Sequence, residues 1–220
     1  MAGIARETFS FLKALKKNND REWFADNKSR YQDAQKDLTE FVGTLLPKLA
    51  KFDRSIAQVD PKKTTFRIYR DVRFSKNKEP YKTNLGAHIH AGSKTDMRAG
   101  YYLHLEPGKS MLAGGAHMPS ADWLKAIRSE IDYNAEDLEK VLRSASFKKY
   151  FGKINGEQLK TSPRDYDKDH PKIDLLRYKS FTAVHEVKDS AMIDSAFDTY
   201  AARVFKALHP FDNFLNTALD

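Results

Sequence analysis

Apolar residues recur at helical spacing through the first fifty positions. Between Glu7 and Lys17, Phe9 or Phe11 shares a face with Leu12 and Leu15, which predicts an amphipathic helix. Asn18, Asn19 and Asp20 interrupt that pattern, and Asn19 followed three positions on by Glu22 has the form of a capping box opening a second helix. Phe24, Tyr31, Leu38 and Leu45 then stand seven apart, with Ala34, Phe41 and Val42 filling the same side. The expectation is a long amphipathic helix, kinked or broken at Pro47, with Trp23 and Phe24 in the core.

The period shortens after Asp60-Pro61. Phe66 to Phe74 alternates in its first half and is rich in aromatic and branched residues, which predicts a strand with Phe66, Ile68, Val72 and Phe74 on one face. Arg67, Tyr69, Asp71 and Arg73 fall on the other, and Arg70 is sent to the apolar side. Leu85 to Ala91 alternates again, Leu85, Ala87 and Ile89 opposing His88 and His90. Tyr101 to Leu105 is a further strand, and Pro107-Gly108 turns it into Ser110 to Ala113. Such a meander predicts an antiparallel sheet with one face covered by helices.

Helical spacing returns from Ser120, with Trp123, Leu124, Ile127 and Ile131 inward, and Asn134 is placed to cap a short helix carrying Leu138, Val141 and Leu142. A polar loop from Thr161 to Pro171 precedes a short helix to Arg177, with Asp169 or His170 as its cap and Pro171 at its first position. Phe181 to Val187 is a last strand. Asp189 or Ser190 then caps a closing helix through Ile193, Phe197, Tyr200, Val204 and Leu208, ended by Pro210 and followed by a short amphipathic tail. No internal repeat, linker or low-complexity segment interrupts the 220 residues, so the expectation is an α+β fold in a single domain, residues 1–220, with long N-terminal and C-terminal helices.

Composition narrows the chemistry. With 14 Phe and 10 Tyr the chain has the apolar bulk to fold, and the absence of cysteine removes thiolate nucleophiles, disulfides and Cys-based zinc sites. No apolar run approaches the roughly 20 residues of a membrane span and no signal-peptide core precedes the first helix, so the expected location is cytoplasmic, without a membrane partner. A formal charge of +8 points to an anionic partner.

That charge is concentrated. Lys62, Lys63, Arg67, Arg70, Arg73, Lys76, Lys78 and Lys82 are eight cations against two acids, Asp71 and Glu79, a surplus of six within one stretch. A guanidinium sent to an apolar face needs a partner, and Asp71 is the nearest carboxylate in sequence whether the stretch is a strand or a helix. Two readings stand. In one, the charges form an internal ion-pair network that fixes the strand. In the other, Arg67, Arg70, Arg73, Lys78 and Lys82 converge on a pocket for a phosphorylated or other anionic small molecule, Tyr81 adding a hydroxyl and Asp71 orienting a guanidinium or acting as base. No cofactor is implied.

Other candidate chemistry is weaker. His88, His90 and His104 could share a polar sheet face and hold a metal, and Asp167, Asp169 and His170 have ligand-like character. With Asp71, these are the residues of a metal-dependent phosphodiesterase or nuclease reading. Tyr69, Phe74 and Tyr81 among the cations fit a non-specific nucleic-acid binder. Gly114-Gly115 ahead of a helix could cradle a phosphate, or mark a bulge. No G-x-S-x-G elbow is present, which removes the case for a serine hydrolase.

The pattern RxxRDxRF followed by NKxxY, here Arg67, Arg70, Asp71, Arg73, Phe74, Asn77, Lys78 and Tyr81, resembles the signature of a mainly bacterial family catalogued as domain of unknown function 2461. NNDREWFADNKSRY, YYLHLEPGKS and DHPKIDLLRYKSF resemble other parts of it. The resemblance implies one domain filling the chain and carries no activity with it. It also implies that Arg177 and Lys179, in the last of these runs, face the same pocket as the first basic stretch.

Overall fold

The computed structural model describes residues 3–92 and 96–219; most expected helices are present with shifted ends, two are joined into one, and the expected closing helix is split into two. Helix α1, Arg6–Lys17, buries both Phe9 and Phe11 with Leu12 and Leu15. Its N-terminus is held from outside, because Asp37 accepts the Ala5 N–H at 3.0 Å and the Thr8 hydroxyl at 2.6 Å. Helix α2, Arg21–Asp26, is capped by Asp20, whose carboxylate accepts the Trp23 N–H at 2.9 Å. The cap is thus one residue later than Asn19, whose side chain is engaged by the Tyr81 backbone.

Helix α3, Lys28–Leu49, continues through Pro47, where a kink or break was expected. A proline inside a helix costs about 3 kcal/mol. Leu45, Leu46 and Leu49 are buried around it, each contributing about 1.5–3 kcal/mol, so packing overrides the local penalty. A 3-10 turn at Arg54–Ile56 and α4, Pro61–Thr64, lead into the basic stretch. Strand β1 is Leu85–Ile89, β2 Tyr101–Leu105, β3 Met111–Ala116 and β4 Phe181–Glu186, paired in the order β1-β2-β3-β4 as an antiparallel sheet. Leu85, Ala87, Ile89, Leu103 and Leu105 face the core, as the alternation predicts.

Helix α5, Ala121–Arg143, joins two predicted helices across a kink at Asn134 (φ −127°, ψ 30°). The residue expected to cap a new helix instead bends an existing one. After α6, Ala145–Tyr150, and α7, Ile173–Leu176, the chain passes through β4 to α8, Asp189–Ile193. Helix α9, Phe197–Thr217, then runs through Pro210, where its end was expected. Leu208, Phe211 and Leu215 are fully buried on either side of that proline, the same override as in α3.

The described residues divide into two compact units. The first comprises the chain up to Ile89, Tyr102–Leu112 and Glu186–Arg203; the second comprises His90–Tyr101, Ala113–His185 and the chain from Val204 onward. In the first, Phe41 of α3 stacks on Phe197 with ring centroids 5.2 Å apart. In the second, Tyr101 packs on Phe205 at 5.2 Å and its hydroxyl meets His209 Nδ1 at 2.9 Å. Trp123 donates its indole N–H to the Leu215 carbonyl at 3.1 Å, tying α5 to α9. No helix among the described residues is long and apolar enough to cross a membrane.

Candidate functional site

The basic stretch lies wholly in the first unit and is an irregular ribbon where a strand to Phe74 was expected. Thr65 pairs with Ala87 and Tyr69 with Tyr81, both antiparallel. The Phe66 N–H donates to Gly86 at 2.9 Å, Lys82 to Ile68 at 2.8 Å and Arg70 to Pro80 at 2.9 Å. Extension ends there because two side chains fold the backbone into turns. Asp71 accepts the Arg73 N–H at 3.2 Å, and Asn77 accepts that of Glu79 at 2.8 Å. The predicted apolar face therefore dissolves. Ile68 is buried, whereas Phe74 is 96% exposed.

An aromatic cluster anchors the ribbon. Phe24 stacks on Tyr81 with centroids 3.9 Å apart and meets Tyr31 at 5.4 Å and Tyr69 at 5.9 Å. Asn19 adds a surrogate strand contact, donating to the Tyr81 carbonyl at 3.0 Å and accepting its N–H at 3.1 Å. Burial raises the Tyr31 and Tyr81 hydroxyl pKa values, so both stay neutral phenols. Tyr81 thus belongs to the scaffold beneath the cations.

The charges are matched unevenly. Arg73 grips Asp71 bidentately, Nη2 at 2.6 Å and Nε at 3.0 Å, and this guanidinium holds the Asp71 carboxyl below its usual range. Arg70, its side chain only 25% exposed, does not use Asp71 as the sequence implies. It donates to the Glu79 carbonyl at 3.1 Å and the Ser75 hydroxyl at 3.4 Å, with the Glu79 carboxylate at 3.8 Å. Lys78 reaches the Val72 carbonyl at 3.1 Å, and the Lys82 ammonium sits 5.7 Å from the Phe66 ring centroid. Arg67 acts on Asp71 through its field alone. Among the described residues, Arg67, Lys62, Lys63 and Lys76 are exposed with no acid in ion-pair contact.

The remaining candidates are absorbed by structure. In the second unit, Arg177 donates to the Leu159 carbonyl at 2.8 Å and that of Lys160 at 3.0 Å, and Lys179 pairs with Glu157. His170 accepts the Lys172 N–H on Nδ1 at 3.1 Å, so its Nε2–H donates to Asp132 at 2.9 Å. Helix α7 begins after Lys172 with no side-chain cap, so neither Asp169 nor His170 is its cap and Pro171 is not its first residue. Asp167 contributes its carbonyl to the turn, 3.1 Å from the His170 N–H. Among the described residues no three His, Asp or Glu side chains converge to hold a metal, and His90 Nδ1 is engaged by the Ala91 carbonyl at 2.8 Å.

Gly114 and Gly115 lie within β3, not at a helix start. A Cβ on Gly115 (φ +102°) would stand 2.1 Å from the Phe181 carbonyl oxygen, and one on Gly114 would stand 2.4 Å from Leu208 Cδ2. Close approach of neighbouring backbone and side chains accounts for both glycines.

A grouping the sequence reading missed lies on β2. Tyr102 Oη is 2.9 Å from His104 Nδ1, and His104 Nε2 is 3.3 Å from Glu106 Oε2. The histidine pattern points to His104 only as a metal ligand, although Tyr-x-His-x-Glu puts all three on one side of the strand and its exit.

Comparison with known proteins gives a family with the description conserved hypothetical protein (DUF2461), matching residues 7–214. No curated protein and no solved structure matches the chain.

Proposed function

The chain belongs to this DUF2461 family, whose description specifies no reaction, and we propose that its ribbon over residues 62–84 binds a phosphorylated or otherwise anionic small molecule. The observation that carries this reading is the surplus of unmatched, exposed cations, Arg67, Lys62, Lys63 and Lys76, beside a loop whose own acids are already engaged. Asp71 and Glu79 hold Arg73 and Arg70, which shapes the loop and leaves the other cations to an outside anion. Asp71 is then an orienting group and not a base, because the Arg73 guanidinium occupies both its oxygens and lowers its proton affinity. Arg67 is the first contact, since a guanidinium grips phosphate oxygens in a fork.

A second reading has its own observation. Phe74 is almost fully exposed, with the Arg73 guanidinium 5.8 Å from its ring centroid, a pairing on which a nucleic-acid base can stack. Titration with tripolyphosphate, followed by backbone NMR, tests the first reading. Shifts are expected at residues 62–78, and Arg67→Ala should weaken binding about fivefold, the order of ~1 kcal/mol for one exposed charge contact. Shifts scattered over the surface, or an unchanged affinity in Arg67→Ala, would sink it. Tighter binding of a single-stranded oligonucleotide, lost in Phe74→Ala, would favour the second.

A further inference from the structure

Tyr102, His104 and Glu106 occupy alternate positions of one strand and its exit, so their side chains line one face of β2 in contact order. Tyr102 Oη lies 2.9 Å from His104 Nδ1, and His104 Nε2 lies 3.3 Å from Glu106 Oε2. The His104 and Glu106 side chains are only 12% and 18% exposed, so the imidazole meets its carboxylate in a partly desolvated setting. Gly86 of β1 makes room for this arrangement. A Cβ there would stand 2.9 Å from Tyr102 Oη and 3.1 Å from its ring. A phenol within reach of an imidazole, itself oriented by a carboxylate, has the connectivity of an activated nucleophile.

Two cations lie near the row. Lys16 lies 3.8 Å from Glu106, the Phe66 ring stands edge-on to Tyr102 at 6.2 Å, and Lys82 sits over Phe66. We propose that this row is a chemical site in which the Tyr102 hydroxyl attacks a phosphate ester, with His104 as base and Glu106 as the positioning residue. The choice of a phosphate ester rests on the anion-binding reading of the ribbon; the activation of Tyr102 does not.

In the first step the Oη–P bond forms and the bond from phosphorus to the ester oxygen breaks. The phenolic proton passes to His104 Nδ1 and on to the departing alkoxide. Water then attacks phosphorus, the Oη–P bond breaks, and the water's proton returns through Nδ1 to Tyr102. The sum is hydrolysis to an alcohol and phosphate. Burial raises the Tyr102 pKa, so the phenol is protonated at neutral pH and needs a base as its bond to phosphorus forms. A row that only braced the sheet would not need the hydroxyl to be reactive.

Reactivity is measurable without knowing the substrate. Phenylsulfonyl fluoride labels an activated tyrosine, forming an Oη–S bond as fluoride leaves and the proton passes to the base. Peptide mass spectrometry of the full-length protein should find Tyr102 labelled at least tenfold faster than Tyr133, which is 82% exposed and serves as the internal reference. His104→Asn should remove that advantage. Glu106→Gln, which keeps shape but not charge, should reduce it several-fold with an unchanged melting temperature. Labelling of Tyr102 no faster than Tyr133 overturns the proposal, as does an advantage that survives in His104→Asn. Phenyl phosphate should slow labelling of Tyr102, and absence of protection at any concentration overturns the assignment to phosphate esters. Labelling without phenyl phosphate needs no bound anion, so failure of the ribbon to bind tripolyphosphate and failure of Tyr102 to react are distinct results.

Discussion

Asp71 is the residue on which the basic stretch turns. Alternation continued through it predicts a strand, yet its carboxylate takes both the N–H and the guanidinium of the residue two ahead, and the chain leaves the ladder. The motif was legible and its partnership was not, because pairing Arg73 with Asp71 and Arg70 with Glu79 depends on loop geometry that no periodicity encodes. Asn19 was misjudged for a similar reason. Its side chain is local in the sequence but is engaged by Tyr81, far along the chain. The Asp71 pairing makes a pH prediction. Arg73 lowers the folded pKa of Asp71 below its unfolded value, so its stabilisation is complete above the unfolded value and is lost as pH falls through the folded one. A carboxyl NMR titration should place the Asp71 midpoint below that of an ordinary aspartate, and Arg73→Ala should raise it. A midpoint that ignores that substitution would show that the ion pair does not persist in solution.

Elements were legible where burial and periodicity agree, and misjudged where a single residue type was given the last word. Leu12, Leu15, Leu38 and Leu45 are all fully buried as their spacing demands. Pro47 is expected to kink or break its helix and Pro210 to end one, yet both are carried inside helices whose neighbouring residues are buried. The glycines of β3 show the opposite case, in which local geometry cannot be overridden. Gly115 combines a positive φ with a Phe181 carbonyl oxygen 2.1 Å from where a Cβ would sit, so Gly115→Ala must move backbone. Gly152 has φ +72° with nothing within 4 Å of its Cβ position. Gly152→Ala should therefore cost only the conformational penalty of about 1–2 kcal/mol, and Gly115→Ala about 3 kcal/mol or more, up to loss of folding. Urea denaturation of both variants checks the ranking. Equal costs would mean that β3 and β4 are further apart than described.

At the scale of the whole chain, the question is whether the formal charge of +8 acts as a net charge or as a cluster. A net charge attracts any polyanion weakly and from all sides, with a reach set by the Debye length of about 10 Å at 0.1 M salt. A cluster presents several cations within that length and releases several counterions at once, so its binding is tighter and falls more steeply with salt. Two quadruple variants separate these cases because they carry the same total charge. Replacing Lys62, Lys63, Arg67 and Lys76 by Gln lowers the formal charge from +8 to +4 and removes the unmatched cations of the ribbon. Replacing Lys125, Lys148, Lys153 and Lys168, all exposed in the second unit, lowers it equally and leaves the ribbon intact. On an immobilised polyphosphate column the first variant should elute at markedly lower salt than the parent, and the second close to it. Both sets are exposed and outside any described ion pair, so neither exchange should shift the melting temperature by more than a few degrees. Equal displacement of the two variants would make the attraction a property of the total charge, and the ribbon would then have no claim to be a site.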